Sequence, residues 1–248
     1  MRQLYSFFTA VQFLTRIPCP NSEFRSEYMV NSLVYYPVVG LILGTILTVA
    51  HLGFKVLFPE SITAALTTTL YVILTGGLHL DGLIDTVDGL FSNRPKSQVM
   101  EIMKDSRVGA LGVIAAIIVF LIKYSIFQNL GQNIPLTGLI IVLIANRWGL
   151  ILLITFFPYV RKEGLGKFFQ TKSNKMFFLV STLIALILVI LIEWYIGLLS
   201  MGITALFAWL YGKKVTATLG GMTGDTYGAF IELSEIIIFL ILTLILFT

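Results

Sequence analysis

Most of this chain is divided into apolar segments of about the length that crosses a lipid bilayer. A transmembrane helix needs roughly 20 mainly apolar residues, and seven such segments are predicted over 33–54, 62–79, 108–127, 136–157, 177–192, 195–211 and 229–247. Charged residues make up 12% of the chain, about half the share of a soluble globular domain. The sequence therefore predicts an all-α, polytopic integral membrane helix bundle with about seven transmembrane helices.

Residues 1–20 are predicted to form an amphipathic helix at the membrane surface. Apolar side chains recur at close to helical spacing from Leu4 to Leu14, with polar residues between them. The segment lacks the long apolar core and the cleavage site of a signal peptide, so we expect it to be retained. Since no segment looks like a separate soluble domain, the whole of 1–248 is predicted to be one transmembrane catalytic domain.

Basic residues cluster in the loops that would share one side of the membrane with the N-terminus. The loops after the second, fourth and sixth apolar segments carry Arg94, Lys96, Lys104, Arg107, Arg161, Lys162, Lys167, Lys172, Lys175, Lys213 and Lys214. The opposite loops hold only Lys55 and, near the end of the third segment, Lys123. The positive-inside rule therefore predicts a multi-pass protein of the cytoplasmic (inner) membrane, with its polar motifs facing the cytoplasm. It also explains the net charge of +4, so we expect the lipid bilayer and no nucleic acid as partner.

An acidic motif stands at the end of the second apolar segment. If residues 79–90 continue that segment as a helix, Asp81, Asp85 and Asp88 fall on one face at i, i+4 and i+7. Three neighbouring carboxylates suit Mg²⁺ or Mn²⁺, and Mg²⁺ commonly takes its remaining ligands from a substrate phosphate. His79 could orient a carboxylate or act as a general base. The alternatives are a solvated acidic loop and a structural histidine.

Two further motifs combine charge with glycine or hydroxyl groups. Lys104, Asp105 and Arg107 stand just before the third apolar segment, where they suit a phosphate clamp with an added metal ligand; the two basic residues also fit membrane anchors. The loop at 220–228 opens the last segment, and its free backbone N–H groups could cradle a phosphate. In that loop the candidate residues are Thr223, Gly224 and Asp225.

Charged residues also lie inside the predicted spans. Glu232 and Glu235 fall on the same helical face as Asp225, within the bilayer, where charge is costly and usually functional. Arg147, next to Asn146, lies deep in the fourth segment and needs a partner. That partner is either Glu232 or Glu235, or else a substrate phosphate.

Taken together, five motifs resemble the cobalamin synthase family of adenosylcobinamide-GDP ribazoletransferases. They are FLTRIP at 13–18, YYPVVGLILG at 35–44, GGLHLDGLIDTVDGL at 76–90, EIMKDSRVGALG at 101–112 and GGMTGDTYGA at 220–229. They occur in the expected order over nearly the whole chain, and the block at 76–90 is specific.

The resemblance implies a Mg²⁺-dependent enzyme of the final nucleotide-loop step of cobalamin biosynthesis. Adenosylcobinamide-GDP would react with α-ribazole or its 5′-phosphate to give adenosylcobalamin or its 5′-phosphate and GMP. The three aspartates, with Asp105, would then hold one or two Mg²⁺ ions, while Lys104 and Arg107 stabilise the leaving GMP. One carboxylate or His79 would take the proton of the attacking hydroxyl, and the base stays open. The loop with Asp225 would bind the second substrate or the guanosine.

Three alternatives share part of this pattern. A CDP-alcohol phosphotransferase uses the same chemistry, but its DxxDGxxAR motif does not occur here, because Asp88 continues as Asp-Gly-Leu-Phe-Ser. A prenyltransferase would need a second compact acidic motif. An ion-coupled transporter would use Arg147, Glu232 and Glu235 as an ion path at the midplane and leaves the aspartate motif unexplained. A homo-oligomer and a complex with other cobalamin-assembly enzymes stay open.

Overall fold

The computed structural model describes residues 1–20, 25–161, 166, 169 and 175–247 of the 248-residue chain. Its helices are α1 (Arg2–Leu14), α2 (Ser26–Ser32), α3 (Tyr36–Leu57), α4 (Glu60–Thr75), α5 (Leu78–Leu90), α6 (Lys96–Ile102), α7 (Ala110–Gln128), α8 (Leu136–Phe156), α9 (Lys175–Leu219) and α10 (Gly224–Phe247). A 3₁₀ turn, Leu33–Tyr35, joins α2 to α3. The described residues contain two isolated bridges and no longer strand pairing, which confirms the all-α class. Lys162, Lys167 and Lys172 of the predicted basic loop lie outside the described residues.

Five of the described helices are long and apolar enough to cross a bilayer, and the bent pair α4–α5 makes a sixth candidate. One of the five, α9, has 45 residues, which corresponds to about 68 Å, or twice a bilayer core of about 30 Å. It breaks at Glu193, where the backbone is extended. The two arms fold back on each other, since a Cβ atom on Gly197 would lie 2.7 Å from the Cβ of Val189. Counting both arms of α9 and the bent pair, the described residues offer seven candidate passes, in line with the about seven that the sequence predicts.

The second apolar segment does not continue straight into the aspartate motif, so that expectation was wrong. Gly76 and Gly77 both adopt left-handed backbone conformations, with φ of 64° and 68°, and end α4. Their N–H groups bond to the carbonyls of Ile73 and Val72, which is the Schellman arrangement of a helix C-terminus. Helix α5 then leaves at 88° to α4. The aspartates therefore lie on a separate helix with its own packing partners.

Helix α8 forms the centre of the bundle and is buried on all sides from Gly138 to Ile154. It packs against α3, α9 and α10. The GxxxG pattern of α3 allows the closest of these approaches, because a Cβ atom on Gly44 would lie 2.6 Å from the Cα of Ile140. The outward faces of the surrounding helices are apolar, as on α7, where Leu111, Ile114 and Ile118 are exposed. Such a surface suits contact with lipid.

The predicted N-terminal amphipathic helix is present as α1 and ends at Leu14. It buries Ala10, Val11 and Leu14 on one face and packs against α2 and α3. The chain after α1 is fixed to α4, since the N–H group of Arg16 donates to the carbonyl of Leu74 over 2.6 Å. This contact brings the end of α1 next to the bend between α4 and α5.

Candidate active site

Helix α5 presents its three aspartates on one side and packs with the other. Asp81 is exposed, whereas Asp85 and Asp88 are half-buried. The predicted spacing of i, i+4 and i+7 therefore does place these carboxylates along one face of a helix. The opposite, buried face consists of His79, Gly82, Leu83, Thr86 and Gly89.

Two glycines bring α5 against the first turns of α10. A Cβ atom on Gly82 would lie 2.8 Å from the carbonyl oxygen of Asp225, and one on Gly228 would lie 3.0 Å from the carbonyl oxygen of His79. Real Cβ atoms do not approach backbone so closely, so this helix contact requires glycine on both sides. The two acidic motifs, 140 residues apart in sequence, are joined by this contact.

The carboxylates of Asp81, Asp85, Asp88 and Asp225 form one electrostatic group, the aspartate group. Asp85 interacts unfavourably with Asp81, Asp225 and, more weakly, Asp88, and favourably with Arg161. Arg161 forms a half-buried ion pair with Asp225. The group combines an excess of negative charge with one cation, which is an arrangement that attracts a further cation.

Arg161 is a site residue that the sequence analysis treated only as a basic loop residue. It is positioned by a short pairing between the chain after α8 and the loop before α10. The N–H group of Val160 donates to the carbonyl of Met222 over 2.9 Å, and the N–H group of Met222 donates to the carbonyl of Pro158 over 2.7 Å. The guanidinium also donates to the carbonyl of Met103 over 3.3 Å. No local signal distinguishes such an arginine from a membrane anchor, because its role comes from the cross-chain pairing.

Asp88 differs from the other two aspartates because it already has partners. Its two carboxylate oxygens accept hydrogen bonds from the N–H groups of Gly109 and Gly112, each over 2.7 Å. These groups begin α7, so the carboxylate satisfies free donors and complements the positive end of the helix dipole. Asp88 thus fixes α5 to α7, and metal binding by its remaining lone pairs stays a prediction.

The predicted phosphate clamp before α7 is a turn in which two charged residues pair with each other. Arg107 donates to Asp105 through its backbone N–H, over 3.0 Å, and through its guanidinium, over 2.6 Å. This pairing lowers the pKa of Asp105 to about 2. Lys104 is exposed and follows Met103, whose carbonyl accepts from Arg161. The turn therefore adjoins the aspartate group, and contact of Lys104 and Arg107 with substrate stays a prediction.

The glycine loop before α10 uses its hydroxyl groups to cap the helix. The Thr223 hydroxyl accepts from the N–H of Thr226 over 3.1 Å, and the Thr226 hydroxyl accepts from the N–H of Thr223 over 2.8 Å. This reciprocal pair is a capping box. Gly224 follows at the first helical position, exposed and with no heavy atom within 4 Å of the place where a Cβ would lie. The loop therefore fixes Asp225, and a phosphate cradle in it stays a prediction.

A buried ion network joins α4, α7, α8 and α10. Lys123 donates to Glu232 over 2.6 Å and to Glu235 over 2.7 Å. Glu235 also accepts from Arg147 and from the Tyr71 hydroxyl, each over 2.5 Å. All five side chains are buried. The negative charges of the two glutamates are therefore balanced by the positive charges of Lys123 and Arg147, as burial of charge requires.

Two sequence expectations change in this network. Lys123 was assigned to a loop of the opposite side but lies inside α7 with its side chain 7% exposed; an isolated lysine within an apolar run was the available signal. For Arg147 the sequence predicts either a glutamate or a substrate phosphate as partner, and in the structure it pairs with Glu235. Since Asp225 pairs instead with Arg161, the three acids of α10 do not form one site. The ion path of the transporter alternative would run through side chains that already satisfy one another.

A cavity of about 280 Å³ lies between α1, α5, α8 and α10, beside the aspartate group. Its wall has a charged part and an apolar part. The charged part is formed by Asp81, Arg161 and Asp225. The apolar part includes Phe13, Leu14, Leu150, Ile154, Phe169 and Ile231. A wall of this kind suits a molecule with both an apolar ring system and a polar or anionic part.

His79 also lines this cavity and is 3% exposed. Neither of its ring nitrogens has a hydrogen-bond partner. A buried polar side chain normally has a partner, so an orphan on a cavity wall indicates a site for a ligand. The other histidine, His51, differs in this respect because its Nδ1 lies 3.1 Å from the Thr67 hydroxyl.

Chemically, the carboxylates of the aspartate group fit a hard divalent cation. Their oxygens are the ligands that Mg²⁺ prefers, and Asp81, Asp85 and Asp225 are near enough to repel one another. In the part of the chain that the structure describes, no three His, Cys, Asp or Glu side chains already converge as a metal-binding group. Oxygen atoms from a bound substrate would therefore have to complete the coordination, which is usual for Mg²⁺.

The comparisons with known proteins give one consistent family. The family model for cobalamin-5-phosphate synthase matches residues 6–243. The adenosylcobinamide-GDP ribazoletransferase of Desulfitobacterium hafniense (strain Y51) is 41% identical over 97% of this chain and 96% of its own length. The proteins of the same name from Brevibacillus brevis and Desulforamulus reducens are 39% and 40% identical, over 96% and 94% of this chain and 97% and 94% of theirs. No solved structure matches the chain.

Proposed function

Because the chain belongs to the cobalamin-5-phosphate synthase family, we propose that it carries out the reaction for which its relatives are named. The donor is adenosylcobinamide-GDP, and the acceptor is α-ribazole or its 5′-phosphate. The products are adenosylcobalamin, or its 5′-phosphate, and GMP. The chain is then a transferase of cobalamin biosynthesis.

The observation that carries the proposal is the joining of two acidic motifs beside one cavity. Asp81 and Asp85 come from α5 and Asp225 from α10, and the cavity wall includes Asp81, Asp225 and Arg161. Transfer of a phosphoryl group from a diphosphate needs cations close to the phosphates and a defined place for the acceptor. The aspartate group would hold such a cation, and the cavity would be the place for the acceptor.

The proposed reaction forms one bond and breaks one bond at the same phosphorus atom. An oxygen of a ribose hydroxyl forms a bond to the phosphorus on the cobinamide side, and the bond from that phosphorus to the bridging oxygen breaks. The bridging oxygen leaves with GMP. The proton of the hydroxyl passes to a base. The candidates are Asp81, which is exposed, and Asp85, which is half-buried. Arg161, at the same surface, would bind phosphate oxygens and balance their charge.

Magnesium is the cation that we propose for this site. Asp81 and Asp85 would hold it, together with Asp225 when its pair with Arg161 opens toward substrate. Bound there, Mg²⁺ would neutralise the charge that develops on the phosphates. Asp88 and Asp105 would contribute less than the sequence suggests, because each is already paired within the chain.

We further propose that the enzyme lies in the cytoplasmic membrane with the aspartate group facing the cytoplasm. The support is the excess of basic residues next to this group, among them Arg94, Lys96 and Lys104. The buried ion network would then lie deeper in the bilayer than the catalytic surface.

The test is turnover by the full-length protein purified in detergent or nanodiscs. The protein is mixed with adenosylcobinamide-GDP and either α-ribazole or its 5′-phosphate, with Mg²⁺ or with a chelator. We expect GMP and the cobalamin product to appear in equal amounts, and only with the metal. If folded protein yields no product with either acceptor, the proposed function is wrong. If turnover persists at full rate in the presence of chelator, the proposed role of Mg²⁺ is wrong and the proposed reaction stands.

A further inference from the structure

The cavity beside the aspartate group has about the volume of one nucleoside. Pockets for drug-sized ligands typically have about 300–1,000 Å³, and this one has about 280 Å³. A corrin ring with its side chains and attached nucleotide exceeds such a volume several-fold. A single nucleoside does not. The cavity can therefore hold the guanosine part of the donor or the acceptor nucleoside, with the corrin ring lying outside it.

The chemistry of the wall separates these two nucleosides. A guanine base has donors and acceptors along most of its edge, and each of them would need a partner inside the cavity. The charged residues of the wall, Asp81, Arg161 and Asp225, are the ones that the proposed reaction uses for the metal and the phosphates, so they are not left over for a guanine base. The base of α-ribazole is a dimethylated benzimidazole, which has a carbon surface and one unsubstituted ring nitrogen. It needs apolar contacts and a single donor.

His79 supplies that donor. It is the buried side chain of the wall with no partner on either ring nitrogen, and a neutral imidazole has one N–H group to donate. The apolar contacts are available around it, since Leu150, Ile154, Phe169 and Ile231 line the same cavity. One N–H donor beside an apolar wall thus matches the single ring acceptor and the carbon surface of the benzimidazole.

We propose that this cavity is the acceptor site, in which the benzimidazole lies among the apolar side chains and His79 donates a hydrogen bond to its free ring nitrogen. The inference rests on the proposed function, because it states which of the two substrates the cavity binds. His79 is then a binding residue and not the general base. The charged wall, with Asp81 and Arg161, receives the ribose and its 5′-phosphate, so a ribose hydroxyl lies beside the aspartate group.

The chain offers a direct test because it has only two histidines, His51 and His79. Full-length protein with ¹⁵N-labelled histidine is titrated with α-ribazole in the absence of donor, and the two imidazole signals are followed by NMR. A His51→Asn variant assigns both signals, so no substitution at His79 is needed. We expect the His79 signal to shift on saturation and the His51 signal to stay, because His51 lies outside the cavity and already contacts Thr67.

Affinity and kinetics give the second readout. In His79→Phe, which keeps a ring but no donor, α-ribazole should bind about tenfold more weakly, the usual effect of one lost hydrogen bond. Binding of adenosylcobinamide-GDP should not change. The loss should appear more in KM for α-ribazole than in kcat, whereas loss of a general base would appear in kcat. If His79→Phe does not fold, Gly224→Trp is used in its place, because it narrows the cavity from a position with open space around it. This variant should weaken the binding of α-ribazole in the same way.

Two results would overturn the inference and leave the proposed function in place. In the first, α-ribazole moves neither histidine signal although the wild-type protein turns over both substrates. In the second, GMP moves the His79 signal and competes with α-ribazole, which would assign the cavity to the guanosine. Absence of turnover by folded wild-type protein is a different result and rejects the proposed function itself.

Discussion

Gly82 of α5 packs directly on the backbone of Asp225 in α10: a Cβ atom on Gly82 would lie 2.8 Å from the Asp225 carbonyl oxygen. This contact sets the distance between the two acidic motifs. A side chain at position 82 would push α5 away from α10 and separate Asp81 and Asp85 from Asp225. The geometry of the proposed active site therefore depends on a glycine that has no chemical role of its own.

Gly82→Ala should lower both stability and activity. Overpacking of a close helix contact costs about 1–3 kcal/mol, and small displacements of catalytic groups reduce turnover strongly. Thermal unfolding and GMP release measure the two effects. Gly202→Ala is the matched control, because no heavy atom lies within 4 Å of its added Cβ; in that helix it should be neutral or stabilising. Equal behaviour of the two variants would contradict the proposed role of the contact.

Asp81→Asn and Asp85→Asn should abolish turnover without unfolding the protein. Loss of a metal ligand or of the base should lower the turnover rate at least about 100-fold. Even residues that only hydrogen-bond to metal ligands lower activity about 10–100-fold when they are mutated. The measurements are GMP release and Mg²⁺ binding, with a thermal melt to show that the variants are folded. Glu101→Gln on α6 changes an exposed acid outside the site and serves as the control. Near-normal activity in both aspartate variants would mean that the motif is only a solvated acidic surface.

Asp88→Ala should act mainly on stability. It removes the acceptor for the N–H groups of Gly109 and Gly112, and loss of a helix cap costs about 0.5–2 kcal/mol. Asp81→Ala, about two helical turns away on an exposed position, should leave the melting temperature unchanged. The comparison of the two melting curves separates a structural from a catalytic aspartate. A stability loss of the same size in both variants would contradict this assignment.

Lys123→Met should destabilise the bundle more than any surface substitution. It leaves Glu232 buried without its cation, and removal of one partner of a buried pair costs about 3–5 kcal/mol. Adding Glu232→Gln should restore much of the loss, because the charge left unpaired is then removed as well. Lys55→Met is the control, since that lysine is 40% exposed. If the double variant is no more stable than Lys123→Met alone, the network does not act as a balanced unit.

Arg161→Lys should reduce turnover although it keeps the charge. One guanidinium nitrogen, Nη2, bonds to Asp225 and to the Met103 carbonyl at the same time, and the shorter lysine side chain has no planar group to hold its ammonium in that direction. Loss of one hydrogen bond to a charged group corresponds to about 10–100-fold. Arg94→Lys, at an exposed position of the same side, should have no effect on GMP release. Full activity of Arg161→Lys would mean that this residue is only a basic anchor at the membrane surface, as its position in the sequence suggests.

Much of the fold is accessible from the sequence because it depends on local properties. Apolar length predicts the passes, and the two left-handed glycines at 76 and 77 end α4 through hydrogen bonds within five residues. The helical spacing of Asp81 and Asp85 is also local, and it holds in α5. What failed was the assumption that α5 continues α4, since the direction of a helix after a break depends on what it packs against.

The sequence by itself determined the apolar segments, the acidic face of α5 and the family to which these motifs belong. Only the tertiary structure decided which charges act together. Asp225 joins the aspartate group while Glu232 and Glu235, on the same helix, join Lys123 and Arg147. The reason is physical: apolar periodicity is a property of each segment alone, whereas the partner of a buried charge is selected by the helices that pack around it. His79 gains its importance in the same way, from a cavity that four helices form together.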